Sequence, residues 1–453
     1  METLRTSSYL IPVKLESEPG KYMLIHGYTG AIDIVTESLL KKIQAAASGV
    51  DLPEDTLQAL IKRGYITTRS QEEEYAYVAR IAKALHKKEC LLHTSFTWVV
   101  TYNCNFRCPY CFEGREQKDG EFQIVFTKKM VDQAYHAMEL IQPNKKLRRN
   151  VITLYGGEPL LAENKEIVSY IINEGQKRGY TFFAVTNGYD LNSYIDLFSP
   201  SAIKKIQVTI DGPKNFHNQR RIHHKYVETF DNIISNIKLV LNTGIKVSVR
   251  INTDKNNVEQ ISELKKQLKI LGLYNYPNFS LYSAILIDND SITKIERDKL
   301  DFVSIKSYVE KNRQNEVLEL CQDYGIYKII NEAISTNRAI AFRSTYCTSQ
   351  TGEYVLDPLG RIYPCLEVIG KSDYLIGTFK MGLKWDSNAL AMWRGMNILK
   401  KESCRMCRYA LICGGGCPFS SIIQNKSHCT SFYKMFETSI NRIYQHKKAE
   451  LFF

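Results

Sequence analysis

The stretch Thr101–Gly114 reads TYNCNFRCPYCFEG. Its cysteines, Cys104, Cys108 and Cys111, have the spacing C-x3-C-x2-C. Three thiolates this close on one loop can hold a single metal centre at a small cost in loop-closure entropy. Their number is informative, because a structural zinc ion takes four protein ligands and an iron–sulfur cube is held by four thiolates. Three cysteines therefore predict a centre with one iron open to a substrate or cofactor. Part of a zinc site and chance clustering are the alternatives.

The chain around this loop alternates predicted strands with predicted helices. Six such repeats predict a parallel sheet, curved into an open barrel, with its site at the carboxyl ends of the strands. The cysteine loop directly follows the first strand, as this arrangement requires. The predicted strands are Phe96–Thr101, Asn150–Tyr155, Thr181–Thr186, Lys205–Ile210, Lys246–Ile251 and Phe279–Ala284.

Each of the next three strands ends in a motif of its own. These motifs are Tyr155-Gly-Gly-Glu-Pro159, Thr186-Asn-Gly188 and Thr209-Ile-Asp-Gly-Pro213. Two adjacent glycines let a ligand approach the backbone closely, and the glutamate can accept a hydrogen bond from an ammonium group. Each motif alone is typical of an ordinary turn. Their order, one at each successive strand end, predicts one shared ligand pocket.

The cysteine triplet followed by G-G-E-P, T-N-G and T-I-D-G-P resembles the signature of the radical S-adenosylmethionine (SAM) enzymes. In that family the open iron binds the amino and carboxylate groups of SAM, and an electron from the cluster cleaves SAM to a 5′-deoxyadenosyl radical. The resemblance implies a [4Fe–4S] cluster on the triplet, with Glu158 at the SAM amino group and Arg221 near its carboxylate and ribose. The implied SAM pocket consists of Tyr110, Gly156, Gly157, Glu158, Asn187, Thr209, Arg221, Val249 and Arg250.

Seven cysteines with ligand-like spacing lie in the C-terminal region. They are Cys347, Cys365, Cys404, Cys407, Cys413, Cys417 and Cys429. This layout resembles the SPASM domain, the auxiliary-cluster domain of radical SAM enzymes that act on peptides and proteins. The resemblance implies two [4Fe–4S] clusters, the first on Cys347, Cys365 and Cys417 and the second on Cys404, Cys407, Cys413 and Cys429. Two structural zinc sites are the alternative.

The first auxiliary cluster would have three cysteine ligands where four are usual. Cys321 is the competing fourth ligand, and a thiol buried in a helix core is its other interpretation. Sulfatase-maturing members of the family carry an acidic base directly after the second cysteine. Here Leu366 takes that position, which leaves Glu367, displaced by one residue, as the candidate base. Both departures argue against a sulfatase maturase.

Residues 1–90 are predicted to form a small separate domain. Two β-branched and aromatic runs, Tyr9–Val13 and Lys21–Ile25, predict a hairpin, and helical patterns follow at residues 35–43 and from Pro53. The pattern resembles the winged-helix-like peptide-recognition domain of enzymes that modify ribosomally made peptides. In that domain an extended leader peptide adds a strand to the hairpin edge. A DNA-binding winged helix and a cap on the barrel are the alternatives.

Composition limits the remaining possibilities. The chain of 453 residues is 44% hydrophobic and long enough for several cores, which we place at residues 1–90, 91–312 and 313–453. The net charge of +12 fits an anionic partner, although scattered basic residues argue against nucleic acid. Clustered cysteines favour metal sites in a reducing compartment over disulfides. Without a signal peptide or an apolar run of about 18 residues, we expect a cytoplasmic protein with no membrane partner.

Together these features predict an α/β protein with a partial (β/α)6 radical SAM barrel, a C-terminal SPASM domain and an N-terminal winged-helix-like domain. It most resembles a maturase of ribosomally synthesised peptides, of the thioether-forming ranthipeptide and sactipeptide type. The resemblance implies SAM, three [4Fe–4S] clusters, a precursor peptide with a leader, and an electron donor such as flavodoxin or ferredoxin. We favour a thioether product because an incompletely ligated cluster can bind a substrate thiol. A carbon–carbon crosslink, epimerisation, formylglycine formation and a nucleic-acid-binding zinc protein are the alternatives.

Overall fold

The computed structural model of the protein describes residues 4–46, 52–92, 94–114, 124–286, 306, 315–321, 323, 325–422 and 429–451. The chain divides into two compact units, each built from separate stretches. The first unit comprises Met1–Leu91, Asp323–Thr351 and Arg394–Phe453, and the second comprises Leu92–Gln322 and Gly352–Trp393. The predicted domain boundaries stay a prediction, and the one at residue 312 lies outside the described residues.

Six parallel strands organise the second unit, and they lie side by side in chain order. The first of them is buried along its whole length, because its β-branched and aromatic side chains are covered on both faces. The strands, numbered along the chain, are β6 (Thr94–Thr101), β7 (Arg148–Gly156), β8 (Thr181–Thr186), β9 (Ile203–Thr209), β10 (Lys246–Thr253) and β11 (Phe279–Ile285). All six predicted strands are confirmed to within a few residues.

Helical segments connect these strands and cover the sheet. The first begins after Thr127, whose hydroxyl accepts from the Met130 N–H as an N-cap, and it buries Val131 and Met138. A 3-10 helix, Leu191–Leu197, follows β8 in place of an α-helix. The α-helices of this unit are α4 (Lys128–Ile141), α5 (Lys165–Lys177), α6 (Lys214–Arg220), α7 (Phe230–Asn242), α8 (Ile261–Ile270), α9 (Asn315–Leu320) and α11 (Ser387–Gly395).

A second group of strands extends this sheet beyond β6. The sequence predicts a hairpin here, because Asp357-Pro-Leu-Gly360 can form a turn between Tyr354-Val-Leu and Arg361-Ile-Tyr. The antiparallel pair of β12 (Glu353–Leu356) and β13 (Arg361–Tyr363) confirms it, and β12 also pairs in parallel with β6. The short strands β14 (Gly377–Thr378) and β15 (Lys384–Trp385) complete the edge. The hairpin turn is tied to the end of β6, because the Tyr102 hydroxyl donates to Asp357 at 3.0 Å.

The first unit contains a three-stranded antiparallel sheet of β2 (Leu10–Lys14), β3 (Lys21–His26) and β4 (Ile32–Thr36), in that order. The predicted N-terminal hairpin is confirmed as β2 and β3, whereas β4, which forms an edge of the sheet, was not predicted. A two-stranded pair joins β1 (Arg5–Thr6) to β5 (Ile66–Thr67). The helices are α1 (Glu37–Gln44), α2 (Glu54–Arg63), α3 (Gln71–Leu92), α10 (Ile326–Thr336), α12 (Glu402–Arg405), α13 (Ala410–Cys413), α14 (Pro418–Ile422) and α15 (Cys429–Leu451).

A buried polar cluster joins β1, β3 and α3 within the first unit. Glu74 accepts from the Ser7 hydroxyl at 2.5 Å and from the Tyr28 hydroxyl at 3.0 Å, and it pairs with Arg5 at 2.6 Å. His26 lies 3.0 Å from the Ser7 hydroxyl and is fully buried. Each helix among the described residues is too short or too polar to span a lipid bilayer.

Candidate active site

A cavity of about 170 Å³ lies at the carboxyl ends of the parallel strands. The three cysteines of the predicted cluster loop all line it. The strand-end motifs contribute the opposite walls, so elements that are distant in the sequence meet at one site. The other lining residues are Phe106, Tyr110, Phe112, Glu113, Tyr155, Gly156, Gly157, Val185, Thr186, Asn187, Gln207, Thr209, Arg221, Arg250, Asn252, Leu286 and Glu367.

The cysteine loop holds its thiols at the cavity with its own backbone. The Phe106 N–H donates to the Cys104 sulfur at 3.3 Å, and the Cys111 N–H donates to the Cys108 carbonyl at 3.1 Å. Burial raises the pKa of all three thiols, and the neighbouring thiols raise the pKa of Cys104 further. Ionising a buried thiol is unfavourable, but a cationic metal centre offsets this cost by binding the thiolate. The loop therefore fits an iron–sulfur cluster as its ligand set.

The two glycines of G-G-E-P allow the cysteine loop to pack against β7. A Cβ atom on Gly157 would come within 2.8 Å of the Asn103 carbonyl carbon and closer still to the Tyr102 and Asn103 carbonyl oxygens. Gly156 has φ near +125°, a conformation that favours glycine, and its own Cβ would meet the Thr101 carbonyl. The glycines thus admit the backbone of the loop as well as bordering the cavity.

Glu158 connects two of the strand-end motifs. Its carboxylate accepts from the Leu160 N–H at 2.9 Å, from the Thr186 hydroxyl at 2.7 Å and from the Asn187 N–H at 2.5 Å. Burial raises the pKa of Glu158 to about 7, while these hydrogen bonds act in the opposite direction. Glu158 is not among the residues that line the cavity. Its predicted contact with the SAM amino group stays a prediction, and its observed contacts fix the T-N-G motif.

Tyr110 lies at the centre of a buried polar network beside the cavity. Its hydroxyl donates to Asp211, and it accepts from Arg221 at 2.9 Å and from the Asn252 side chain at 3.3 Å. The other oxygen of Asp211 accepts from the Asn252 N–H at 2.9 Å. Arg220 lies 4.6 Å from the centroid of the Tyr110 ring. Asp211 therefore joins the cysteine loop to the ends of β9 and β10.

Two guanidinium groups line the cavity together with the carboxylates of Glu113 and Glu367. Arg221 is only 8% exposed, and Arg250 lines the same cavity. Among the described residues, the buried Nε atoms of both side chains have no hydrogen-bond partner. Buried donors without partners are rare in native proteins and point to a ligand. The cavity therefore fits a ligand that presents acceptors, such as the carboxylate and ribose of SAM.

Strand alternation explains which predicted residues reach the cavity and which do not. Arg250 and Asn252 share one face of β10, whereas the fully buried side chain of Val249 is on the other face and does not line the cavity. Gln207 lies two residues before Thr209 on the same face of β9 and was missed, although this spacing could have revealed it. Glu113 was also missed, whereas Tyr155 and Thr186 begin two of the predicted strand-end motifs but were not predicted individually as pocket residues. Of the predicted pocket, all residues except Glu158 and Val249 line the cavity.

The cysteines of the second auxiliary set all belong to the first unit. Burial raises the pKa of Cys404, Cys407 and Cys413, and their mutual proximity adds to the shift, with Cys429 contributing to that of Cys404 and Cys407. The three glycines 414–416 all have positive φ, which lets the chain turn tightly after Cys413.

The cysteines of the first auxiliary set are divided between the units. Cys347 and Cys417 belong to the first unit, whereas Cys365 belongs to the second. Cys321, the competing fourth ligand, is buried in the second unit, where it forms a β-bridge with Ser283. The ligand set of this cluster stays a prediction.

The chain is similar to known proteins in sequence and in fold. Residues 98–268 match the Radical SAM superfamily. The chain is 21% identical over 385 residues to a cysteine-type anaerobic sulfatase-maturating enzyme of Clostridium novyi, covering 75% of this chain and 93% of the relative. Among solved structures, it resembles anSMEcpe with bound AdoMet and the Cp18Cys peptide, with a TM-score of 0.57, 16% identity and coverage of 79% of this chain and 99% of that one. It also resembles Streptococcus suis SuiB bound to precursor peptide SuiA, with a TM-score of 0.51, 17% identity and coverage of 94% and 97%.

Proposed function

Because residues 98–268 form a radical SAM domain, we propose that this enzyme is a maturase that modifies a ribosomally synthesised peptide. The α/β fold and the cofactors SAM and [4Fe–4S], both predicted from the sequence, are confirmed. The observation that carries the proposal is the convergence of the cysteine triplet and the strand-end motifs on one cavity. That cavity alone does not select a substrate.

The residues of the cavity divide the work of holding and orienting the cofactors. Cys104, Cys108 and Cys111 would hold the cluster, and Arg221 and Arg250 offer donors to the acceptors of SAM. When bound there, SAM and the cluster supply a 5′-deoxyadenosyl radical that can take a hydrogen atom from a substrate carbon. The chain itself binds and orients the cofactors and the substrate, and it excludes water from the site. Phe106 and Phe112 contribute apolar surface to this enclosure.

A peptide substrate has support from two sources. The relative from Clostridium novyi is named a sulfatase-maturating enzyme, and the two solved structures contain bound peptides. The first unit offers a suitable docking groove, a cavity of about 510 Å³ along β4, the edge strand of the sheet. An edge strand can accept an extended peptide as an additional strand. We therefore assign leader recognition to this groove.

The charges of the groove favour an acidic leader. Basic side chains on its rim outnumber the single carboxylate, Asp33, which is already paired with Arg63 at 2.6 Å. Met23 and Ile34 supply apolar surface beside the edge strand. The basic residues of the rim are Lys62, Arg63, Arg338 and Lys447.

Point substitutions test the groove better than deletion of residues 1–90. Tyr9 and Tyr28 share a core with Ile398 and Leu411, so that deletion would disrupt the whole first unit. We expect the double variant Lys62→Glu/Arg338→Glu to bind an acidic precursor peptide at least about 10-fold more weakly while uncoupled SAM cleavage is kept. The matched control, Lys83→Glu/Lys87→Glu, reverses two exposed charges on α3 and should bind like the wild type. Equal affinity for all three proteins would contradict leader recognition at this groove.

Within this class of reaction, we favour a thioether between a cysteine sulfur and a carbon of another residue. The ligand count supports it, because Cys347, Cys365 and Cys417 leave one position of a four-ligand cluster for a substrate thiol. Cys321→Ala separates the alternatives. If Cys321 closes the site, this variant loses the first auxiliary cluster, and the spectrum of that cluster in the wild type does not change when peptide is added. A cluster that survives the substitution and whose spectrum changes with a cysteine-containing peptide is the expected result.

Mass spectrometry of a peptide incubated with the reconstituted enzyme, SAM and dithionite tests the function itself. A thioether removes two hydrogen atoms and consumes one free thiol, whereas epimerisation leaves the mass unchanged and formylglycine formation removes the thiol sulfur. A carbon–carbon crosslink would remove two hydrogen atoms but leave every thiol reactive. SAM cleavage without any change in candidate precursor peptides or in cysteine-containing sulfatase peptides would contradict the maturase proposal.

A further inference from the structure

A short segment pairs with the backbone of the cysteine loop. Residues 222–227, here called the outer segment, bond to the loop through the backbone. The Arg107 N–H donates to the Ile222 carbonyl at 2.7 Å, and the His224 N–H donates to the Asn105 carbonyl at 2.9 Å. Phe106 forms an isolated antiparallel bridge with His223. The outer segment is therefore a direct backbone neighbour of the residues between Cys104 and Cys108.

The outer segment presents an unusual amount of apolar surface to solvent. Ile222 is 40% exposed, Tyr226 is 55% exposed and Val227 is 80% exposed. Large apolar side chains clustered in this way mark interaction sites more often than single exposed residues do. Two exposed cations accompany them, Arg107 and Lys225. Glu228 is also exposed beside Val227 but lies 3.6 Å from Lys214, so the surface combines an apolar centre with the positive charges of Arg107 and Lys225.

The position of the outer segment indicates what covers it. None of residues 222–227 lines the active-site cavity, so a substrate that enters the cavity has no need to contact this surface. The surface instead adjoins the backbone of the loop that carries the cluster ligands. Protein electron carriers form small, transient interfaces of this kind, and charge complementarity speeds their association. A carrier of negative charge matches the two cations.

We propose that the outer segment, with Arg107, is the docking surface for an acidic one-electron carrier protein that reduces the cluster. One electron passes from the carrier to the cluster, so the carrier is oxidised by one electron, the cluster is reduced by one, and no bond forms or breaks. The inference rests on the radical SAM chemistry of the second unit and is independent of which peptide is modified. SAM cleavage by the wild type with dithionite, a small chemical reductant, tests that chemistry separately.

The test compares two double variants of the full-length, cluster-loaded enzyme. Lys225→Glu/Val227→Glu reverses one charge and removes apolar surface in the outer segment. The matched control, Lys266→Glu/Ile270→Glu, makes the same change of charge at α8, where Ile270 is 85% exposed. The end of α8 leads into β11 and so lies at the amino edge of the sheet, opposite the cysteine loop. The dissociation constant of oxidised flavodoxin is measured for each protein by titration calorimetry, and it should be about 10-fold larger for the outer-segment variant than for the wild type and the control. Formation of 5′-deoxyadenosine is then measured with reduced flavodoxin over a range of concentrations, and in parallel with dithionite.

We expect the outer-segment variant to need about 10-fold more flavodoxin for the same rate, and its remaining rate to depend less on ionic strength than that of the wild type. Its rate with dithionite, and both rates of the control, should equal those of the wild type. An unchanged flavodoxin dependence would overturn the proposal. An equal loss with both reductants would also overturn it, because the segment would then support the cluster rather than the carrier. The proposal fails as well if neither flavodoxin nor a [4Fe–4S] ferredoxin reduces the wild-type cluster.

Discussion

Replacing Gly157 by alanine tests whether the G-G-E-P motif works by admitting the cysteine loop. Cβ atoms essentially never approach other atoms within 3.0 Å, yet a Cβ here would lie 2.8 Å from the Asn103 carbonyl carbon. The loop cannot yield freely, since the Gly157 N–H bonds to Thr101 at 3.0 Å and the Glu158 N–H bonds to Asn103 at 2.8 Å. Overpacking of this kind costs about 1–3 kcal/mol, a factor of about 5 to 150 in an equilibrium constant. We expect the affinity for SAM and the rate of SAM cleavage each to decrease by a factor of about 5 to 150.

The assay is equilibrium SAM binding and 5′-deoxyadenosine formation by anaerobically reconstituted protein, with iron content measured on the same samples. Gly157 does not have a positive φ, so the alanine variant reports the steric contact without added backbone strain. Gly395→Ala is the matched control, because nothing lies within 4 Å of the position of its Cβ. Wild-type SAM affinity and cleavage in Gly157→Ala would refute the packing role of this glycine.

Two further predictions concern buried groups. Asp211→Asn keeps the shape of the side chain but removes the charged acceptor of Tyr110, so we expect SAM affinity about 10-fold lower, a loss of about 1.4 kcal/mol. In a Tyr110→Phe background the same substitution should cost less, because only the Asn252 N–H and Arg220 contacts of Asp211 remain to be weakened; a fully additive loss would show that Asp211 does not act through Tyr110. Burial lowers the pKa of His26 from 6.5 to about 4. Between these pH values the unfolded chain binds a proton that the folded chain does not. The free energy of unfolding should therefore decrease as pH falls from 6.5 towards 4, by at most about 3 kcal/mol. Urea denaturation at several pH values checks this, and an equally steep decrease in His26→Gln would contradict the assignment.

The barrel was predictable because its signals are local and repeated. Predicted strands that alternate with predicted helices identified β6 to β11 closely. The carboxyl-end rule then placed the cysteine loop and three motifs at one site before any contact was known. The same reasoning predicted the β12–β13 hairpin from its turn, but not its pairing with β6, because pairing between distant segments leaves no mark on either sequence.

The unpredicted parts of the site depend on side-chain direction and on contacts between motifs. Sequence register placed Val249 at the end of a strand, but only strand alternation shows that its side chain turns away from the cavity. Glu158 was predicted to bind a ligand, whereas its observed partners are groups of the neighbouring strand end. Asp211 was part of a motif without an assigned role, since its partners Tyr110 and Asn252 lie far from it in the sequence.

The most direct measurement of the central claim is SAM cleavage by the triple variant in which Cys104, Cys108 and Cys111 are all alanine. Three four-iron centres predict about twelve irons per chain in the wild type, and removal of one centre should leave about eight. We expect the variant to retain the spectra of the C-terminal clusters and to form no 5′-deoxyadenosine with dithionite. Formation of 5′-deoxyadenosine at the wild-type rate, or an unchanged iron content, would contradict the assignment of this loop as the SAM-cleaving centre.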